Sequence, residues 1–223
     1  MKLVITPKPL QGSVTPPPSK SLAHRALIAA FLAGEAPPLP DLPESQDILA
    51  TRDCLNALWD GRPMDCGESG STLRFLIPVA LALRGEGAFT GRGRLMERPQ
   101  TPYFEIFHEK NIFFAQKDHI LTLKGRLPPG QYRLPGNVSS QFITGLLFAL
   151  PLLEGDSEII LTTPLESRGY VDLTLDVLQK HGISIENREY QTFIVPGGQK
   201  FQAAPCTVEA DWSQAAFWYA ANF

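Results

Sequence analysis

The sequence predicts an α/β protein built by internal repetition, and three observations carry that expectation. A Ser-rich, often basic turn leads into a nearly all-apolar helix three times and begins a fourth; amphipathic helical patterns alternate with these; and short strand-like runs bounded by Gly, Pro and Asn join the two kinds. Together they divide the chain into three α/β units of about 50 to 75 residues, each with a buried helix, a surface helix and several strands.

The first apolar helix follows the connector Pro16-Pro17-Pro18 and runs Ser19-Lys20-Ser21-Leu22-Ala23-His24-Arg25 into Ala26-Leu27-Ile28-Ala29-Ala30. Gly34 to Pro43 is a second connector, closely flanked by helices and therefore not a disordered tail. Glu44 to Trp59 places Ile48, Leu49, Cys54, Leu55 and Leu58 near one face, the pattern of a half-buried helix. Ser69-Gly70-Ser71-Thr72 then heads the second apolar helix through Ile77. Gly87 to Thr90 follows as a strand, and Pro99 to Lys110 as a helix with Pro in its first turn. Strands are expected at Asn111 to Ala115 and Ile120 to Lys124, before the turn Pro128-Pro129-Gly130. The third apolar helix starts at Ser139-Ser140-Gln141. After it come a strand at Ser157 to Thr162 and an amphipathic helix from Tyr170 to His181 that stops at Gly182. Strands at Ile183 to Glu186 and Thr192 to Val195 end at Pro196-Gly197-Gly198. Asp211 is a plausible N-cap for a fourth apolar run, Ala215 to Phe223, which has no Gly, Asn or Pro to close it and so reads as a helix severed within.

Helices apolar on every side have to be enclosed, so their N-termini, with free N–H groups and positive dipole ends, are expected to cluster inside the molecule and form an anion site. The anion should be small. A net charge of −3 and a pI near 5.8 argue against DNA or RNA as a partner, because a polyanion needs a broad basic face. The N-terminal run Met1 to Pro7 is too short for a secretory signal, and the longest apolar stretches, Phe75 to Leu83 and Leu146 to Leu153, fall short of the ~20 residues that span a bilayer. With three cysteines, Cys54, Cys66 and Cys206, at no metal-ligand spacing, the chain reads as a cytoplasmic protein with reduced, packed thiols.

Lys20 and Arg25 beside two Ser hydroxyls supply charge, hydroxyl donors and backbone N–H groups to one phosphate or carboxylate; the plainer reading is a capping Ser with two solvated cations. Ser139-Ser140-Gln141 offers two hydroxyls and an amide where one capping residue would suffice. At the second helix head Gly70 lets the backbone approach a ligand closely. Arg92, Arg94 and Arg98 form a basic loop, the kind that is usually just solvated. His24, His108, His119 and His181 are scattered, which gives no metal site. Lys20-Ser21 lacks the preceding glycines of a P-loop, and Gly91-Arg92-Gly93 lacks the rest of a dinucleotide fingerprint.

Read in order, these motifs resemble the 5-enolpyruvylshikimate-3-phosphate synthase family. The resemblance covers Met1 to Phe223 and rests on Pro18-Ser19-Lys20-Ser21 with Arg25, Gly67-Glu68-Ser69-Gly70-Ser71-Thr72-Leu73-Arg74, Glu97-Arg98-Pro99, Ser139-Ser140-Gln141, Ser167 with Tyr170 and Asp172, and Glu209-Ala210-Asp211. It implies an inside-out α/β barrel of three βαβαββ units per domain, with ligands in a cleft between two domains. Residues 1–17 would belong to the second domain, 18–208 would form the complete first domain, and 209–223 would re-enter the second.

The family moves the enolpyruvyl group of phosphoenolpyruvate to the 5-hydroxyl of shikimate 3-phosphate in the shikimate pathway, without metal or organic cofactor. By resemblance, Lys20 touches both substrates; Ser21, Arg25, Ser139, Ser140, Ser167 and Tyr170 hold shikimate 3-phosphate; Gly70 and Arg98 hold phosphoenolpyruvate; and Gln141 reaches both. The family's proton-transfer carboxylates have no matching positions here, which leaves Lys20 and Asp211 as the only candidate contributors to catalysis. The chain is thus expected to be an inactive N-terminal half of a monomeric enzyme, its partners being the two substrates and the missing half. Glu68-Ser69 stands where many members have Asn-Ala, and Arg168-Gly169 where many have Lys-Pro. The sister enolpyruvyl transferase acting on UDP-N-acetylglucosamine usually carries a reactive Cys in the loop that corresponds to Gly91 to Pro99, and this loop has none. A non-catalytic anion-binding module is the alternative of a different class.

Overall fold

The computed structural model describes residues 11–34, 45–205 and 207–221. In chain order its elements are α1 (Lys20–Leu32), α2 (Gln46–Asp60), β1 (Met64–Asp65), α3 (Gly70–Arg84), β2 (Glu86–Thr90), α4 (Thr101–Glu109), β3 (Phe113–Lys117), β4 (Ile120–Lys124), β5 (Gly130–Leu134), α5 (Ser140–Ala149), β6 (Ser157–Leu161), α6 (Arg168–Lys180), β7 (Glu186–Arg188), β8 (Thr192–Val195) and α7 (Trp212–Ala221). The expectations for Met1 to Pro7, for most of the Gly34 to Pro43 connector and for Cys206 and Phe223 fall outside the described residues.

Serine starts each apolar helix. Ser19, Ser69 and Ser139 hold extended backbone, and their hydroxyls accept from the N–H of Leu22 (3.4 Å), Thr72 (3.2 Å) and Gln141 (3.3 Å), satisfying donors the first turn leaves free. Burial is continuous from Leu22 to Ala30 in α1 and from Phe142 to Ala149 in α5, and nearly so in α3. Gly61 and Gly85, both at φ 71°, end α2 and α3 in the left-handed conformation that glycine adopts without strain.

The strands show the repeat directly. The first sheet has order β1-β2-β4-β3 and the second β5-β6-β8-β7; in each the first pair is parallel and the other two are antiparallel. A buried helix, α3 or α5, makes the parallel crossover, and an amphipathic one, α4 or α6, leads to the closing hairpin. Two βαβαββ units are therefore complete, while α1 and α2 supply the helices of a third pattern without a third sheet among the described residues. Two short crossings lie side by side at its edge. Pro18 pairs with Ala210, Ser19 N–H donates to the Glu209 carbonyl at 2.8 Å, and Asp211 N–H donates to the Pro17 carbonyl at 2.8 Å.

Some expected boundaries need correction. The strand foreseen at Ile183 to Glu186 is Glu186–Arg188, and that at Asn111 to Ala115 is Phe113–Lys117. The helix foreseen from Pro99 begins at Thr101, because Leu95–Glu97 form a 3-10 turn and Arg98, preceding a proline, is extended (φ −69°, ψ 132°). The two-residue β1 was not foreseen, nor was β5, whose alternation puts Tyr132 and Leu134 inward. The burial rule fails at α7. Asp211 caps it through the N–H groups of Ser213 and Gln214 (2.9 and 3.2 Å), yet Trp212, Phe217 and Tyr219 are 67%, 72% and 63% exposed, and Ala215 is the one residue of α7 that is buried among the described residues. Among the described residues no helix is long and apolar enough to cross a membrane.

At the centre, α1, α3 and α5 meet in one hydrophobic core, and each amphipathic helix sends one polar side chain into a seam between two of them. Thr51 of α2 lies 2.7 Å from His24 Nδ1 on α1 and 2.6 Å from Thr72 Oγ1 on α3. Tyr103 of α4 donates to the Arg74 carbonyl on α3 at 2.7 Å and lies 3.0 Å from the Phe142 carbonyl on α5. Thr174 of α6 lies 3.0 Å from Thr144 on α5 and accepts from Arg25 Nε on α1 at 2.8 Å. The Tyr103 seam has a covalent origin. Pro78, inside α3, has no N–H for the Arg74 carbonyl one turn earlier, and the phenol fills that vacancy. Gly145 allows the approach: a Cβ there would stand 2.5 Å from the Arg74 carbonyl oxygen and 2.9 Å from Pro78, and would collide with the Tyr103 hydroxyl.

Gly145→Ala should therefore destabilise the chain by about 1 to 3 kcal/mol through overpacking, although alanine is the better helix former. Urea unfolding will check this, and an unchanged midpoint would contradict the close α3–α5 contact. His24 gives a second expectation. Burial pushes its imidazole down from the ordinary 6.5 to about 4, with Asp47 opposing and Arg25 and Lys20 reinforcing. Between those values the unfolded chain takes up a proton that the folded chain refuses. The stability linked to neutral His24 is thus full above pH 6.5 and lost as pH falls towards 4, by about 3 kcal/mol. His24→Gln should flatten that part of the stability–pH curve; curves parallel to the parent's would rule the linkage out.

Candidate functional site

The helix heads lie together, each tied to the next by polar contacts. At the start of α1, Lys20 Nζ pairs with Asp47 Oδ2 of α2 at 3.2 Å, with side chains 50% and 35% exposed. Such a pair is worth about 1 kcal/mol at most, so the ammonium is easily given up to a better anion. The Asp47 carbonyl lies 3.4 Å from Thr72 Oγ1, and that hydroxyl lies 2.7 Å from Ser69 Oγ, which joins the heads of α2 and α3. The loop into α3 is held from below. Asp65 accepts from Gly67 N–H at 2.9 Å and from Arg92 Nη2 at 2.9 Å, and the backbone bond, the larger cause, keeps its carboxyl below the usual range.

The heads of α3 and α5 share a second cluster. Gln141 Nε2 donates to Ser71 Oγ at 2.9 Å, and Arg74 Nη1 donates to Gln141 Oε1 at 2.8 Å. Arg74 also reaches the Pro99 carbonyl (3.2 Å) and Gln100 Oε1 (3.4 Å), while its guanidinium lies 4.6 Å from the Phe142 ring centroid. Gly70 stands against this cluster: the place a Cβ would take is 3.1 Å from Arg98 Nη1 and 3.8 Å from Gln141 Oε1. Burial lowers the affinity of Arg74 for its proton, and the charge of nearby Arg98 lowers it further, against an opposing contribution from Tyr103. Two cations this close to a side-chain-free position favour an anion beside them.

The third part is a cleft of about 370 Å³ at the head of α6, lined by Ser19, Ser21, Ser167, Tyr170 and Asp211 among others. Ser167 stands at the N-cap of α6 but accepts no capping bond, unlike the serines that start the three apolar helices. Tyr170 is half exposed. Beneath it Arg25, only 3% exposed, donates to Thr174 (2.8 Å), the Ser21 carbonyl (2.6 Å), the Tyr170 carbonyl (3.0 Å) and Thr144 (3.4 Å), with its guanidinium 5.1 Å from the Phe75 ring centroid. Burial pulls Arg25 down to about 10, Tyr170 opposing, which leaves it charged at neutral pH.

Of the residues named from the sequence, Ser21, Ser167, Tyr170 and Asp211 share the cleft, and Gly70, Arg98 and Gln141 share the second cluster. Ser139 caps α5, Ser140 is 7% exposed beside it, and Lys20 faces Asp47. Arg25 departs most from expectation: four internal acceptors hold it under the cleft instead of in it. Asp211 caps α7 and lines the cleft at once. Arg74, quoted above within a motif but given no task, proves to be the hub of the second cluster. A hint was available, since a lone arginine in an apolar helix has to find buried acceptors. Cys54 and Cys66 are buried, as packing thiols should be. Among the described residues no three His, Cys, Asp or Glu side chains are grouped to hold a metal.

The chain matches the family model described as EPSP synthase (3-phosphoshikimate 1-carboxyvinyltransferase) over residues 4–61 and 60–223. It is 44% identical over 244 residues to the 3-phosphoshikimate 1-carboxyvinyltransferase of Clostridium perfringens strain SM101, covering 99% of this chain and 58% of that protein. The protein of the same name from Clostridium beijerinckii is 43% identical over 249 residues, with 99% and 57% covered. In fold it is similar to the solved EPSP synthase of Acinetobacter baumannii, with a TM-score of 0.72 at 21% identity, over 92% of this chain and 51% of that one. The chain spans rather more than half the length of these curated relatives, and its mixed α/β fold, its motifs and the family match agree: it belongs to the EPSP synthase family.

Proposed function

We propose that this chain contributes most of the shikimate 3-phosphate site and part of the phosphoenolpyruvate site of an enzyme that transfers the enolpyruvyl group to the 5-hydroxyl of shikimate 3-phosphate and releases phosphate. The observation that carries this reading is the chain of contacts between the serine-capped helix heads: those of α3 and α5 meet through Ser71 and Gln141 beside Gly70 and Arg98, and Lys20 at the head of α1 is linked to α3 through Asp47 and Thr72. Residues 18–208 would be one whole domain, an inside-out barrel of three βαβαββ units. Residues 1–17 and 209–223 would belong to a second domain. The side-by-side crossings at Pro18 and Ala210 support that division.

The chemistry sets the demand. Two substrates carrying several negative charges must meet in a closed cleft, and each pair of like charges at about 4 Å costs roughly 4 kcal/mol at the dielectric of a protein surface. A charge-assisted hydrogen bond returns about 1.5 to 3 kcal/mol, so several preorganised cations and donors are needed for each anion. Ser21, Ser139, Ser140, Ser167 and Tyr170 would supply the uncharged donors for shikimate 3-phosphate, with Gln141 between the two ligands. Lys20, released from Asp47, would stand where both charges are felt. Arg98 would hold phosphoenolpyruvate over Gly70. Arg25 would act from beneath, fixing the carbonyls of Ser21 and Tyr170, and with them the walls of the cleft. Protonating the methylene carbon and deprotonating the attacking hydroxyl require groups that the complementary part of the enzyme would bring, Asp211 being the nearest candidate here.

Calorimetry of this chain with shikimate 3-phosphate should show binding that Lys20→Ala weakens about tenfold to a hundredfold, with the unfolding midpoint kept. No heat from the parent chain at millimolar ligand would favour a non-catalytic module instead. Mixed with a separately produced complementary portion of such a synthase, the chain should regain measurable phosphate release from the two substrates. Stable association without any turnover would count against a site shared between the two parts.

A further inference from the structure

We propose that Arg74 sets the hydrogen-bonding polarity of the phosphoenolpyruvate subsite: by holding the Gln141 side-chain oxygen it fixes the amide with its N–H end towards Ser71, which leaves the Ser71 O–H free to donate. This rests on the reading just given, in which Gly70, Arg98 and Gln141 face phosphoenolpyruvate.

A glutamine amide is ambivalent, since one end accepts and the other donates, and a rotation of half a turn exchanges them. Here one orientation is forced. A guanidinium cannot accept, so the end of Gln141 that lies 2.8 Å from Arg74 Nη1 has to be the oxygen. The NH2 group is then directed at Ser71 Oγ, 2.9 Å away. Ser71, having accepted, keeps its own O–H for something else and has no other partner among the hydrogen bonds of the described residues. The second N–H of the Gln141 amide is left over in the same way.

The result matters because of what stands beside Gly70. The nearest groups are Arg98 Nη1 and Gln141 Oε1. That oxygen is an acceptor close to Gly70, and a bare acceptor facing a carboxylate or phosphate oxygen repels it. Arg74 puts a charged donor on that oxygen, which weakens the repulsion and leaves the remaining Gln141 N–H and the Ser71 O–H to donate to an anion. The hold of Arg74 on the Pro99 carbonyl and Gln100 keeps Arg98 beside the same cluster. Arg74 is thus a positioning residue, acting through Gln141 and Ser71.

The test is a double-mutant cycle on this chain. Phosphoenolpyruvate is titrated in the presence of saturating shikimate 3-phosphate, and the Gln141 side-chain NH2 signals are followed by ¹⁵N NMR. Arg74→Met, which keeps length and packing but donates nothing, should weaken phosphoenolpyruvate about tenfold or more, weaken shikimate 3-phosphate by a smaller factor because several other groups share its hold, and shift and broaden the Gln141 signals before any ligand is added. Arg74→Lys, which keeps the charge but loses the fork, should fall between, and it serves if the methionine variant folds poorly. In a Gln141→Leu background, Arg74→Met should cost little more. Equal phosphoenolpyruvate affinity in Arg74→Met and the parent, unmoved Gln141 signals, or losses that simply multiply in the double variant would overturn the inference while leaving the functional reading intact. Failure of the parent chain to bind either substrate would remove that reading first, and this one with it.

Discussion

Three helices buried along nearly their whole length, α1, α3 and α5, meet in one small core, and placing them there fixes most of what surrounds them. Enclosure leaves their first-turn N–H groups short of water, so each begins with a serine whose hydroxyl takes one of those donors. The two crossover helices, α3 and α5, each follow the first strand of a parallel pair, and the Gln141–Ser71 hydrogen bond sets their heads side by side. Hydroxyls put there to satisfy the backbone are already grouped when a ligand is to be gripped. The proposed binding surface would in that sense be a by-product of burying the helices.

The core is not uniformly apolar, and its polar members recur with the repeat. Thr51, Tyr103 and Thr174 occupy corresponding seams on the three amphipathic helices, although the groups they meet differ: an imidazole and a hydroxyl, two carbonyls, a hydroxyl and a guanidinium. Burying the Arg25 charge is costly, and four acceptors with the face of Phe75 offset that cost. Replacing any one of those acceptors by an apolar group would leave a charged donor short of a partner, which is more damaging than never having buried it.

Serine followed by an apolar run was enough to locate the starts of α1, α3 and α5, because capping is a local consequence of residue type. Strand ends were less legible. β1 is two residues long, and β5 follows a Pro-Pro-Gly turn that drew attention away from its alternation. The exposure of α7 could not be read from its composition, since burial depends on what lies beside a helix and not only on its own surface. The burial of Arg25 was not legible in the motifs: its partner Thr174 lies 149 residues away, and nothing local says whether a guanidinium points at solvent or at a threonine. The same distance problem hid Arg74, whose importance depends on Gln141 and Pro99 being brought to it.

Pro78 looks like a flaw in α3, yet its missing N–H hands control of one peptide plane to another helix. The Arg74 carbonyl is gripped by the Tyr103 phenol of α4 instead of by its own helix, so the backbone that carries the Arg74 guanidinium answers to an element at the edge of the core. Sequence drift on α4 thus has a route to the Arg74–Gln141–Ser71 cluster that passes through one backbone carbonyl and alters none of the cluster's own side chains.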